Sequence, residues 1–468
     1  MFFVSEYDRS AKFFCHSYLD RYDENGVLQC PCGKEHRLQT RRILLGDRVM
    51  EQLPDLLTEH YGSGAEIWIL SDENTEAAAG QRCKQLLSGF SLSGAVLPAS
   101  PRPRTTEELI HSLSEQAGAD APDLILAVGS GTISDVAKMV SRTLGVPNWC
   151  VPTAPSVDAY SSGTSALKLP HRHSTEPTRP TEVILADLDV LEKAPQLLFL
   201  SGVGDLLAKY LSYLDWRLSA LITGEYICEQ TAELCLESAR QAIGAVKAFS
   251  ADRRAAVRSL TDAILVSGLA MQALVSSRPA SSAEHTIAHY WELAHAVGNP
   301  ALELHGLLVG MSSRILLPLY KEFYGDAAVW DFDPEDRLRG LAAEPGWEQA
   351  LTPEVQPFHQ QIREEMAGRR ENAELYRSRL EKIREHQGMI TDLAGGLLGE
   401  LEQAVAILAD IEYPFHLSDY RLDRRQAVVP FRYIRVLRSR YNSFDLIHEL
   451  GADERVFGLL DQQIGMIS

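Results

Sequence analysis

Residues 41–195 alternate short, continuously apolar runs with helix-length stretches, and this rhythm limits the possible folds more than any other feature of the chain. The runs are Glu66–Leu70 (EIWIL), Gly94–Leu97 (GAVL), Leu124–Val128 (LILAV), Trp149–Val151 and Val183–Leu188 (VILADL). Their length and β-branched content suit strands buried on both faces. Between them lie an Ala-rich helix ending near Phe90, a helix at Thr106–Ala117 with Glu107 and Glu108 in its first turn, and a helix at Ser134–Leu144. Alternation of this kind predicts an α/β domain with a mostly parallel, doubly wound sheet. After residue 195 the rhythm changes. Leu207, Tyr210, Leu211, Leu214, Leu218 and Leu221 recur at helical spacing, and helices continue to residue 468 with almost no strand signal. The expected organisation is an irregular segment at 1–40, an α/β domain at 41–195 and an all-α domain at 196–468. Pro195 and Gly202 mark the break.

Charge narrows the partners. The chain of 468 residues has 45 Lys and Arg against 64 Asp and Glu, a net charge of −19, which argues against nucleic acid or anionic membrane. With 45% apolar and 23% charged residues it is globular, not disordered. No uninterrupted apolar run reaches the roughly 18 residues of a membrane helix, and the apolar windows at Ala263–Val275 and Leu307–Leu319 read as core helices. The opening MFFVSEYDRS lacks the form of a secretory signal. Seven scattered cysteines suggest reduced thiols and a cytoplasmic location. Cys30-Pro31-Cys32-Gly33 with His36, and Cys15-His16 before it, have metal-ligand chemistry but fit no standard zinc spacing, so they are read as loop residues. The charged run Arg363–Arg384 reads as a solvated helix face, and His171-Arg172-His173 as an exposed loop.

Four constellations can carry chemistry. Gly129-Ser130-Gly131-Thr132-Ile133-Ser134-Asp135 follows the LILAV run and opens a helix. There, backbone N–H groups and the helix dipole favour a phosphate; the alternative is a plain strand–helix turn. Asp72, just past EIWIL, can bond a ribose hydroxyl or cap the following helix. It precedes the glycine turn instead of following it, unlike the ordinary Rossmann order. Pro152–Ser162 gathers hydroxyls and Asp158 after a strand, where open α/β sheets bind ligands. His285 and His289 share a helix face and His305 follows twenty residues after His285. Such a grouping suits a metal completed by an acid, with Asp205 and Asp215 the competing carboxylates. His295 stands at another angle of the helix.

Taken together, the blocks GSGTISDVAK, VPTAPSVDAYSSGTSAL, GVGDLLAKYLSYLDW, SRPASSAEHTIAHYWE and LHGLLVG resemble the sn-glycerol-1-phosphate dehydrogenases, of the superfamily shared by dehydroquinate synthases and metal-containing polyol dehydrogenases. The likeness runs over residues 40–325; Cys30–His36 and the final RYIRVLRSRYNSFDLIHELG look like the longer members, and 326–430 match loosely. The resemblance implies a dehydroquinate synthase-like fold, with the dinucleotide bound by the domain at 41–195 and the metal and substrate by the helical domain at 196–468. Gly129, Gly131, Thr132, Ile133, Ser134 and Asp135 would hold the pyrophosphate of NAD or NADP. Thr153, Ala154, Pro155, Ser156 and Ser162 would lie on the nicotinamide side and Asp72 on the adenosine side. Asp205, His285 and His305 would ligate one divalent metal, zinc or nickel, and Asp158 and His289 would contact substrate. Arg278 and Lys209 are candidates for the substrate phosphate. The implied reaction is reversible reduction of dihydroxyacetone phosphate to sn-glycerol 1-phosphate. Rivals are a glycerol dehydrogenase-like oxidoreductase on an unphosphorylated polyol, a dehydroquinate synthase-like lyase and a non-catalytic NAD-binding scaffold. Expected partners are the small phosphorylated substrate and further copies of the chain, with no membrane span. Two departures stand out: Ser282 where the family usually has glycine, and Thr286 where a histidine often follows the first imidazole ligand.

Overall fold

The computed structural model describes residues 14–169, 172–294, 296–343, 346–367 and 372–466. The strands are β1 (Val27–Gln29), β2 (Glu35–Arg37), β3 (Arg42–Gly46), β4 (Glu66–Asp72), β5 (Ser91–Leu97), β6 (Leu124–Gly129), β7 (Asn148–Pro152), β8 (Thr164–Leu169), β9 (Arg172–Pro177) and β10 (Val183–Asp187). Helices that matter below are α1 (Glu107–Asp120), α2 (Gly131–Leu144), α3 (Gln196–Leu207), α4 (Lys209–Thr223), α5 (Glu229–Ala248), α6 (Arg253–Leu274), α7 (Ala283–Leu293), α8 (His305–Gly325), α9 (Ala373–Ala409), α10 (Arg424–Leu437) and α11 (Ser443–Glu449).

Two compact units divide the chain. Among the described residues, the first holds those of 14–169, 173–206 and 233–277; the second holds residue 172 and those of 207–232 and 278–466. In the first, six strands form one sheet in the order β3-β10-β7-β6-β4-β5, and every neighbouring pair is parallel. All residues of β6, β7 and β10 are buried, which explains why these strands read as unbroken apolar runs. Ile67, Ile69, Leu124, Leu126, Trp149 and Leu185 form the core on one face. Helices α5 (from Glu233) and α6 belong to this unit although they follow the break at 195.

The structure adds two things to the sequence reading. Strand β3 carries only Ile43, Leu44 and Leu45 as apolar residues, and it becomes a strand by pairing with β10. Its apolar run was too short to register alone. Of the loop expected at 171–173, His171 lies outside the described residues, while Arg172 and His173 stand in strand β9, which pairs with β8. The stretch is polar, so only cross-strand pairing identifies it. Apart from Arg172 at the start of β9, the described residues of the second unit contain no strand. The expected core helices appear as α6 and α8. The stretch Gln196–Thr223 is long and apolar enough to cross a bilayer, yet 89% of its apolar window is buried inside the protein, as in a core helix.

Candidate active site

In the first unit the nucleotide-type features gather at the carboxyl ends of adjacent strands. Leu70 of β4 pairs with Ala127 of β6, and Gly129 of β6 with Pro152 of β7. Asp72, the glycine turn and the loop from Thr153 therefore leave the sheet side by side. Helix α2 begins at Gly131, three residues earlier than the sequence suggested, and no side chain caps it. Its first N–H groups are thus presented with the helix dipole behind them, as an anion site requires. A Cβ on Gly131 would come within 2.5 Å of Val157 Cγ2, so only glycine lets the loop pack this close. Asp72 caps the next helix: its Oδ1 accepts from the Thr75 N–H at 2.9 Å while Thr75 Oγ1 accepts from the Asp72 N–H at 2.9 Å. Asp135 faces inward. It pairs with Lys138 at 2.9 Å and accepts from the Ala166 N–H at 3.2 Å.

The loop 153–162 is held from several sides. Lys138, fully buried, donates to the carbonyls of Ala159 (2.8 Å) and Thr164 (2.6 Å) and to Ser162 Oγ (3.2 Å). Thr153 N–H donates to Gly129 O at 3.1 Å, and Tyr160 OH to Ala154 O at 2.7 Å. Ser201 Oγ donates to Ser156 O at 3.0 Å. A Cβ on Gly202 would collide with the Pro155 carbonyl, and one on Gly268 with Ser161 Oγ and Asp158 O. These two glycines let α3 and α6 close on the loop. Asp158 is fixed at both ends: its N–H donates to Asp205 Oδ2 at 2.9 Å and its Oδ2 accepts from Ser267 Oγ at 2.7 Å. Asp158 and Asp205 are both buried.

In the second unit three imidazoles converge. Ring centroids lie 5.3 Å apart for His285 and His305, 5.2 Å for His289 and His305, and 6.0 Å for His285 and His289. His285 Nδ1–H donates to Glu284 Oε1 at 2.9 Å, and His305 Nδ1–H donates to Glu292 Oε1 at 2.8 Å. Both carboxylates are buried. A carboxylate only accepts, so each of these rings carries its proton on Nδ1 and keeps the Nε2 lone pair for a ligand. Carboxylates backing histidines in this way are the usual outer shell of a metal site. The donor set fits a divalent cation. His295 lies outside the described residues.

Asp215, the competing acid, is committed elsewhere. Its Oδ2 accepts from Ser282 Oγ at 2.6 Å. Its Oδ1 accepts from the Ser443 N–H at 2.9 Å and from Ser443 Oγ. Burial pushes its pKa up to about 6 against the pull of these hydroxyls. Arg278 forms a forked pair with Glu225 (3.0 and 3.1 Å) and donates to Tyr441 O at 3.1 Å; Lys209 donates to Ala280 O at 3.1 Å. Sequence reasoning missed Glu292, Lys138 and Ser267, and gave Glu284 no role of its own. Glu292 was findable, being seven residues past His285 on the same helix face. Ser267 was not, because nothing local links it to Asp158.

Among known proteins, the family model for iron-containing alcohol dehydrogenases matches residues 44–195. The NAD(P)+ glycerol-1-phosphate dehydrogenase of Bacillus licheniformis is 34% identical over 329 residues, covering 69% of this chain and 81% of that one. That of Hyperthermus butylicus is 33% identical over 287 residues, covering 61% and 80%. The chain belongs to the glycerol-1-phosphate dehydrogenase family. An archaeal halo-thermophilic alcohol dehydrogenase from a Red Sea brine pool shares the fold, at a TM-score of 0.54 and 13% identity over 89% of this chain and 97% of that one. The hydroxyl of Ser282, one of the two departures noted in the sequence, is taken up by Asp215. Thr286 Oγ1 donates to Ser282 O at 3.1 Å, within its own helix.

Proposed function

We propose that this chain catalyses the reversible, NAD(P)-linked reduction of dihydroxyacetone phosphate to sn-glycerol 1-phosphate, with Asp205, His285 and His305 holding one divalent cation, zinc or nickel. The observation that carries the reading is the pair of carboxylate-backed imidazoles, in a chain of this family. Asp205 is the acid of choice because Asp215 already accepts from two serines. Gly129, Gly131, Thr132, Ile133 and Ser134 present the start of α2 to the pyrophosphate, and Asp135 fixes that helix against β8 through Ala166. Asp72 lies on the adenosine side, where its capping role holds the carboxylate in one rotamer. Thr153, Ala154, Pro155, Ser156 and Ser162 form the nicotinamide side of a loop that Lys138 and Tyr160 keep rigid.

With both groups bound, the cation supplies Lewis acidity and the reduced nicotinamide supplies hydride. The protein's part is orientation and proton handling. Asp158, locked by Ser267, orients a substrate hydroxyl. The new hydroxyl takes its proton from His289 or through a water, His289 standing beside the other two rings and falling, by the family resemblance, on a substrate-contacting position. Arg278 and Lys209 are the candidates for the substrate phosphate, with Arg438 and Arg440 close enough to Arg278 to act on it electrostatically. Burial lowers the pKa of Arg438 and Arg440, and the other guanidiniums lower that of Arg440 further. An anion would relieve that repulsion. Free thiols at all seven cysteines fit a reducing compartment, the cytoplasm, and assembly with further copies of the chain is checked by sedimentation.

The test is reduction of dihydroxyacetone phosphate with NADH and with NADPH, before and after metal stripping, with product chirality determined. Metal-dependent formation of the sn-1 phosphate is expected. Preferential oxidation of unphosphorylated glycerol, or full activity after stripping, would overturn the reading.

A further inference from the structure

The hairpin β1–β2 pairs Val27 with Arg37, Leu28 with His36 and Gln29 with Glu35. Its turn is Cys30-Pro31-Cys32-Gly33-Lys34. Gly33 N–H donates to Cys30 O at 3.0 Å and Cys30 N–H to Lys34 O at 3.2 Å. Gly33 takes φ +83°, a left-handed conformation that suits glycine. This tight turn brings Cys32 Sγ to 3.3 Å from His36 Nε2. The donor atoms of Cys30, Cys32 and His36 all lie within 4.8 Å of one another. His36 is buried, and its Nδ1–H donates to the Ala273 carbonyl at 3.1 Å. A carbonyl only accepts, so Nε2 keeps its lone pair and faces the two sulfurs. Cys15 and His16, the other ligand-type pair nearby, are spent differently: Cys15 N–H donates to Asp262 at 2.8 Å, and His16 Nε2 donates to Ile43 O at 3.0 Å. Burial raises the Cys15 thiol pKa well above its ordinary value, which makes it a poor ligand.

We propose that Cys30, Cys32 and His36 bind a structural zinc ion, distinct from the catalytic metal. Zinc bonds of about 2.3 Å to sulfur and about 2.0 Å to nitrogen, at tetrahedral angles, place neighbouring donors about 3.5–3.8 Å apart. The three atoms need to move only slightly to meet that geometry. The Ala273 carbonyl behind His36 is the outer partner that a zinc-bound imidazole normally has. The function of the ion is to clamp the hairpin onto the end of α6. Gln272 already ties the following chain there, accepting from Gln39 N–H at 2.6 Å and donating to Thr40 Oγ1 at 2.8 Å. The two thiols lose their protons on binding, so zinc is held above the pH at which they would reprotonate.

The proposed catalytic ligands include no sulfur, so thiolate-specific readouts see the hairpin alone. Full-length protein is prepared with zinc and treated with an organomercurial in the presence of a chromophoric chelator; release of one zinc per chain is expected. Exchange with cobalt should add a near-ultraviolet thiolate-to-metal charge-transfer band. Cys32→Ser, at the half-exposed position, should lose that band and the mercurial-released zinc while keeping turnover of dihydroxyacetone phosphate, and its thermal unfolding should occur at lower temperature. His285→Ala should keep both signals. Wild-type protein that releases no zinc to the mercurial and shows no charge-transfer band would leave only a thiol–imidazole hydrogen bond and overturn the proposal. That outcome is independent of whether dihydroxyacetone phosphate is the substrate, and it needs no variant that might fail to fold.

Discussion

A histidine becomes a predictable metal ligand when its second nitrogen has a fixed acceptor. Glu284 and Glu292 do this for His285 and His305, and both are buried. Removing one of the proposed ligands should therefore empty the proposed metal site without unfolding the protein. His285→Ala is expected to lower kcat/KM about a thousandfold and to lose catalytic metal, with circular dichroism unchanged; wild-type turnover would remove His285 from the set. Glu292→Gln keeps the shape but weakens the backing of His305. Metal affinity should fall about 10- to 100-fold, read by competition with a chelator, and an unaltered affinity would show that the carboxylate has no such role. Arg438→Gln should raise KM for dihydroxyacetone phosphate by about tenfold or more while kcat changes little. An unchanged KM would place the phosphate elsewhere.

At the scale of elements, close approach decides function. The loop 153–162 packs against α2, α3 and α6 only because Gly131, Gly202 and Gly268 lack side chains. In Gly131→Ala the new methyl would press on Val157, whose branched side chain sits on the loop proposed to take the nicotinamide. The expected result is a stability loss of about 1–3 kcal/mol and a KM for NAD(P)H raised about tenfold, measured by unfolding and by steady-state kinetics. Nucleotide binding as tight as in wild type would show that the turn does not touch the cofactor. Much of this arrangement was legible in the chain. LILAV followed by GSGTISD announced a strand, a turn and a helix, and the structure shows β6 running into α2. What was not legible was which atoms hold the loop. Lys138 is three residues past Asp135, a common helical ion-pair spacing, and nothing in the sequence says that its Nζ also reaches Ala159 and Thr164.

For the molecule as a whole, each unit is held by contacts that span long stretches of chain. In the second unit Asp215 links Ser282, at the start of α7, to Ser443, at the start of α11. Its pKa, raised to about 6 mainly by burial, exceeds the roughly 3.9 of an unfolded aspartate. The protonated form is thus favoured in the folded state. Its stabilising contribution is fully present below about pH 4 and is lost as pH rises through about 6. A difference of that size between the folded and unfolded chain corresponds to about 3 kcal/mol. Asp215→Asn keeps the shape without the charge, so chemical unfolding of wild type should weaken between pH 4 and 7 relative to the variant. Parallel pH profiles for the two proteins would show that Asp215 does not titrate in this range.

Periodicity by itself determined the fold class, since buried parallel strands must be apolar throughout and their connecting helices must be amphipathic. It also brought out the glycine turn and the histidine group, because their spacing is local. Tertiary structure decided what spacing cannot carry. It committed Asp215 to two serines and set buried carboxylates behind two imidazoles. It paired β3 with β10, and it turned the side chains of a Cys-Pro-Cys turn and His36, four residues on, into three donors facing one point. Each of these depends on atoms far apart in the chain, or on the direction a side chain takes, and neither is written in the order of residues.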